Sequence, residues 1–193
     1  MKLSPLKVAL GALAFFSITT VALYFGIEKM NLGPKMGGDF TLSGKMGAVS
    51  LHDFKGKGVI LYFGYTRCPD VCPVSLSRLR GMLKSLPEKA SEKIVPLFVS
   101  VDYRSDTPAK VDEYAKFFME TAVGLTGTKE QINHAVSLYG TGYQFEETPK
   151  SAIGYTVQHG DRFYFINPRG KLVSTLPTTS PTSELKSAIE SLL

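Results

Sequence analysis

Cys68 and Cys72 are the only cysteines in the 193-residue chain, and three residues separate them. Such a pair can cycle between dithiol and disulfide, or it can hold a soft metal between two thiolates. A dithiol redox enzyme is expected to carry C-x-x-C. The wider gap here relaxes the geometry and leaves room for an ion between the sulfurs. Two thiolates do not suffice for an all-cysteine cluster, so a metal needs a third ligand, and His52, His134 and His159 are the only imidazoles. His159 ends a strand-like run and is followed by Gly160, which permits a tight turn and an open approach. His134 falls within a helix-like segment and His52 precedes Asp53 in a turn, and both read as surface residues. A purely structural Cys68–Cys72 disulfide would close too small a loop to add much stability. Spacing alone leaves electron traffic and metal traffic both open.

The elements around these residues determine whether they can meet. Val59 to Phe63 is an unbroken apolar run, the pattern of a strand inside a sheet, and it leads directly to the cysteines. A helical stripe follows at Leu76, Leu79, Leu83 and Leu86, predicting a helix over 74–86. A helix that includes both cysteines places positions i and i+4 on one face. Pro73 is tolerated in a first turn, where amides have no intrahelical partner. A thiol near those amides should be acidified, and Arg67 adds to this. Ile94 to Val101 reads as a strand. Thr107-Pro108 is an N-cap signature leading into a helix through Phe117 and Phe118. Thr128 to Gln131 has the form of a capping box for a helix ending near Tyr139.

Shorter elements complete the pattern. Phe40–Leu42 and Ala48–Leu51 form a hairpin-like pair, with a turn at 54–58. Tyr155–Gln158 and Arg162–Ile166 read as two strands around a His-Gly-Asp turn, Leu172–Val173 as another, and Ser180-Pro181 opens a last helix running to Leu193. This order predicts one α/β domain with a mixed sheet.

Residues 8–27 are twenty positions without a charge. As a helix they would span roughly 30 Å, the thickness of a bilayer core. Lys2 and Lys7 precede the run, so the expected topology is a cytoplasmic N-terminus at 1–7, a transmembrane helix at 8–27, a Gly-rich tether at 28–38 and an exported domain at 39–193. With only seven residues before the span, the expectation is a bacterial inner membrane with the domain in the periplasm. The first 29 residues hold three lysines and one glutamate, leaving a mild excess of 19 basic over 16 acidic residues beyond them. Those charges are mixed along the chain. The tract around Lys84, Lys89 and Lys93 reads as solvated surface, not as a nucleic-acid site.

Several stretches together resemble the SCO/SenC family of copper chaperones: F-G-Y-T-R-C-P-D-V-C-P at Phe63 to Pro73, V-D-Y-R-S-D-T-P at Val101 to Pro108, and Y-T-V-Q-H-G through F-Y-F-I-N-P-R-G-K at Tyr155 to Lys171. G-D-F-T-L near Asp39, G-L-T-G at Gly124 to Gly127 and the N-terminal apolar run fit as well. The resemblance implies a thioredoxin-like fold with additional N-terminal strands and an inserted hairpin. It implies copper, as Cu(I) or Cu(II), on Cys68, Cys72 and His159, with Asp102 close by to steer or hydrogen-bond the histidine. It also implies a role in assembling the CuA site of cytochrome c oxidase, with the CuA-bearing subunit or another copper or redox protein as partner. Thiol–disulfide exchange on an exported cysteine pair, with Cys68 and Cys72 as redox residues, is the alternative. The family usually has proline after the aspartate of V-D-P-x-x-D-T-P, where this chain has Tyr103, so the loop is freer to turn differently.

Overall fold

The computed structural model describes residues 16–17, 19–21, 24, 36–149 and 154–193. Among the described residues no helix is long and apolar enough to cross a membrane. The span expected at 8–27 lies outside the described residues except for Phe16, Ser17, Thr19, Thr20, Val21 and Tyr24, which are helical. The compact unit begins at Met36, so the last residues of the expected tether belong to it. The Gly37 amide donates to the Leu138 carbonyl at 2.6 Å and the Tyr139 hydroxyl donates to the Gly38 carbonyl at 3.1 Å.

The unit is built on strands β3 (Gly58–Gly64) and β4 (Ile94–Ser100), every residue of which is buried. They pair in parallel through helix α1 (Val71–Lys84) and a short α2 (Glu88–Ser91). Burial on both faces explains their continuous apolar sequence, and each large side chain such as Phe63 or Phe98 contributes about 1.5–3 kcal/mol by leaving water. Helix α3 (Pro108–Phe118) crosses to β5 (Val123–Thr126), parallel to β4. The N-cap acts as expected, with Thr107 accepting from the Lys110 amide. Helix α4 (Lys129–Leu138) starts on the reciprocal Thr128–Gln131 capping box.

On one side β5 pairs antiparallel with β1 (Thr41–Gly44), which forms a hairpin with β2 (Gly47–Ser50). On the other side β3 pairs antiparallel with β8 (Arg162–Ile166), and β8 with β9 (Leu172–Pro177). Helix α5 (Thr182–Glu190) follows, ending short of Leu193. The sheet therefore runs β2-β1-β5-β4-β3-β8-β9, a mixed sheet with helices against it; the loop after β3 leads to the cysteines and the loop after β4 carries Asp102 to Asp106.

Two expectations about the C-terminal half change. Strand β6 (Tyr143–Glu147) was absent from the predicted elements, and it pairs with β7 (Tyr155–His159) as a separate two-stranded sheet. The His159-Gly160-Asp161 turn therefore does not close a hairpin between β7 and β8. It carries the chain from the small sheet into the large one. The physical reason lies in patterning: Phe163 to Ile166 are all buried and need neighbours on both edges, which β3 and β9 supply. Strand β7 buries only Val157 fully and suits a two-stranded sheet lying over the domain.

Candidate metal centre

The sulfurs of Cys68 and Cys72 and a ring nitrogen of His159 all lie within 4.8 Å of one another. Three separate pieces of chain bring them together. Helix α1 begins at Val71 with Asp70 at its N-cap, earlier than the apolar stripe predicts. Cys72 is therefore in the first turn, whereas Cys68 lies in the loop just before it. The thiols converge because the loop folds back onto the helix start, and the Cys72 amide donates to Cys68 Sγ at 3.4 Å. Gly64, at the end of β3, makes room for this packing. A side-chain carbon there would sit 2.6 Å from Cys72 Sγ and 2.9 Å from the Phe98 ring.

His159 arrives from the end of β7. Its Nε2 is 3.3 Å from Cys72 Sγ and its Nδ1 is 3.1 Å from the Gly160 carbonyl. A carbonyl can only accept, so this bond is made by Nδ1–H, and it leaves the Nε2 lone pair facing the sulfurs. The ring edges of Tyr62 and Tyr65 stand against the imidazole at 6.0 and 5.9 Å between centroids. Gly160 is needed for more than turn flexibility, because any side chain there would collide with the Thr141 hydroxyl. His52 and His134 do not join the cluster.

The two thiols are electrostatically unequal. Cys68 is lowered from 9.0 to about 4, chiefly by the hydrogen bond from the Cys72 thiol, with further help from the backbone amides of Cys72 and Asp70, against an opposing cost of burial. Cys72 is pushed up by its role as donor to Cys68 and then by burial. Cys68 is 9% exposed as a residue and Cys72 fully covered. An open groove of about 410 Å³, lined by Tyr65, Pro69, Val71, Val157 and Gln158, reaches Cys68 and His159. Alkylation of Cys68 by iodoacetamide in metal-free protein is therefore expected to keep its rate from neutral pH to about pH 5 and to halve near pH 4. A half-point near the ordinary thiol value of about 8.5, read by mass spectrometry of the labelled peptide, would contradict this polarity.

Asp102 is fully buried at the end of β4, but both ring nitrogens of His159 are engaged elsewhere. The carboxylate instead accepts from Arg67 at 3.2 Å, from the Tyr155 hydroxyl at 3.0 Å and from the Arg104 amide at 3.2 Å. It thus ties the loop before Cys68 to the strand bearing His159. Arg67 is spent on this pair, and its guanidinium also donates to Tyr155 Oη at 2.7 Å. Asp106, whose role is not visible in the motif, fixes the same loop by accepting from the Thr66 amide and hydroxyl and from Ser100. Its partners lie 6 and 40 residues away, and nothing local to Asp106 reveals them.

Two thiolates and one imidazole form a soft donor set that suits Cu(I) or Zn(II) far better than hard cations. A family model described as SCO1/SenC matches residues 28–193. The chain is 36% identical to the protein in a solution structure of apo Sco1 from Thermus thermophilus, covering 84% of this chain and 94% of that one with a TM-score of 0.74. It is 32% identical to Bradyrhizobium japonicum ScoI, whose structure was solved with copper bound, covering 82% and 99% at a TM-score of 0.71. Against the mitochondrial protein SCO2 of Saccharomyces cerevisiae it is 37% identical over 73% of this chain and 47% of the other. The chain thus spans about half the length of that curated relative.

Proposed function

This chain belongs to the SCO1/SenC family, and on that premise we propose that it carries one copper ion on Cys68, Cys72 and His159 and hands it to a cysteine pair of a partner, the CuA site of cytochrome c oxidase. The observation that carries this reading is the convergence of the two sulfurs and the imidazole nitrogen within 4.8 Å. Copper is cargo here. Both thiols must be deprotonated to hold it, so loading releases protons, and Cys68 already favours the thiolate. A metal held by two sulfurs and one nitrogen keeps open approach from the groove above Cys68. An incoming thiolate can then replace one protein ligand at a time, without free ion in solution. The charge-free run at 8–27 would anchor the domain to a membrane, on whose far side it meets its acceptor.

The test is transfer. The reduced chain loaded with one equivalent of Cu(I) is mixed with an apo CuA domain, and the CuA absorption bands are followed after reoxidation. Stoichiometric appearance of those bands is the expected result. Retention of copper on the donor with no change in the acceptor would sink delivery as the function.

A second reading is favoured by the unequal thiols. The Cys68 thiolate, reached through the groove, can attack an acceptor disulfide, releasing one acceptor thiolate and forming a mixed disulfide. Cys72 then displaces the second acceptor thiolate and closes the Cys68–Cys72 disulfide. The acceptor leaves with two thiols, ready for copper, and this chain is left oxidised.

A further inference from the structure

His159 sits on a two-stranded sheet that shares no ladder hydrogen bonds with the main sheet, so side chains must decide where that sheet lies. In the β6–β7 register Tyr143 stands opposite His159, Phe145 opposite Val157, and Glu147 opposite Tyr155. Directly opposed residues point to the same side, and alternate residues along each strand share that side. These six side chains therefore occupy one face, and it is the face that presents the imidazole to the sulfurs.

Two neighbouring residues after β4 grip that face. The Arg104 guanidinium lies over the Phe145 ring at 3.9 Å from its centroid, and also over Tyr155 at 5.6 Å. The same group pairs with Glu147 at 3.2 Å. The Tyr103 ring meets Phe145 edge-on at 5.2 Å and Tyr143 at 6.1 Å. Tyr143, the residue opposite His159, is thus reached by Tyr103, while Arg104 holds the other end of the face. The loop carrying both is itself fixed by Asp102 and Asp106, which hold the segment leading to Cys68.

We infer that Tyr103 and Arg104 are positioning residues, a clamp that holds the β6–β7 sheet down so that His159 stands over the two thiols before any metal arrives. The inference rests on the proposed function only in what His159 is positioned for. A flat guanidinium stacked on one ring and a second ring packed edge-on are each modest contacts. Together with the bonds of Tyr155 to Asp102 and Arg67 and the burial of Val157, they oppose a local opening of the small sheet. A preplaced third ligand lets copper bind without first ordering the strand that supplies it.

The test compares native chain, Tyr103→Ala/Arg104→Ala and Tyr103→Phe, each full-length, metal-free and reduced, in detergent micelles. Amide hydrogen exchange is read for residues 143–147 and 155–159, with β3 and β4 amides as the measure of global stability. The double variant is expected to speed exchange in the small sheet about tenfold or more while the β3 and β4 amides stay unchanged. The His159 ring proton shifts should move toward free imidazole as the Tyr62 and Tyr65 rings lose contact. Tyr103→Phe keeps the edge-on ring and should stay within about twofold of native. Exchange in the double variant within twofold of native, or equal acceleration of β3, β4 and the small sheet, would overturn the clamp. Copper titration separates the two readings. A native chain that binds no copper refutes the proposed function, while selective exchange in the double variant still upholds the clamp.

Discussion

Cys72→Ser is expected to abolish copper retention, lowering apparent Cu(I) affinity by more than about 100-fold, beyond what loss of an outer-shell partner costs. The substitution exchanges a soft thiolate for a hydroxyl that stays protonated at neutral pH, so the site loses half its sulfur ligands and half its negative charge. The fold should tolerate it. Serine is close to isosteric, its hydroxyl can donate its one proton to Cys68 or to His159 Nε2, 3.3 Å from the native sulfur, and it can accept from Tyr62, whose hydroxyl lies 3.8 Å from that sulfur. A thermal midpoint near native together with loss of stoichiometric copper is the expected combination, read by calorimetry and by metal analysis after gel filtration. Unchanged copper content would refute Cys72 as a ligand.

The same variant separates the two functional readings. Cys68 is the reachable, acidified sulfur, and without Cys72 a mixed disulfide that it forms cannot be resolved from within the chain. If the protein reduces its acceptor, Cys72→Ser should accumulate a covalent adduct that dithiothreitol dissolves on a non-reducing gel. If it only passes copper, no adduct forms.

His159→Ala should leave Cu(I) bound by the two sulfurs but lower Cu(II) affinity by at least about tenfold and shift the thiolate-to-copper absorption band. Cu(I) is content with low coordination, whereas Cu(II) favours imidazole nitrogen among its ligands. The truncation also removes the Nδ1–H bond to the Gly160 carbonyl and the contacts to Tyr62 and Tyr65. These are local losses on a half-buried residue, so the domain should remain folded. Optical titration with Cu(II) gives the decisive reading, and a band unchanged in position and intensity would remove His159 from the ligand set.

The departure at Tyr103 takes on a different meaning once the loop is seen. As sequence, tyrosine in place of the family's proline signals only a freer backbone. In the folded chain its ring packs against Phe145 and Tyr143, so the loop has gained a side-chain anchor where a proline ring would not reach. The β6 segment itself was legible, since Tyr143 and Phe145 alternate with polar residues in the period-two pattern of a half-buried strand. That pattern was overshadowed by the stronger apolar run at Phe163 to Ile166.

By itself the sequence determined what is local: the buried β3 run that delivers the cysteines, the caps that start α3 and α4, and a donor set limited to two thiols and three imidazoles. Those features depend on neighbours within a few residues, through periodicity, capping and turn chemistry. Only the tertiary structure decided that β7 pairs with β6, that Cys68 reaches Cys72 from a loop outside the helix, and that Asp102 engages Arg67 and Tyr155 in place of the histidine. Strand partners and buried ion pairs are chosen by which surfaces can be covered together and which polar groups satisfied, and the residues concerned lie beyond the reach of local rules, as Arg67 and Asp102 do at 35 residues apart. His159 is 87 residues from Cys72, and no short-range rule links them. Their meeting is set by the small sheet that Tyr103 and Arg104 hold against the domain.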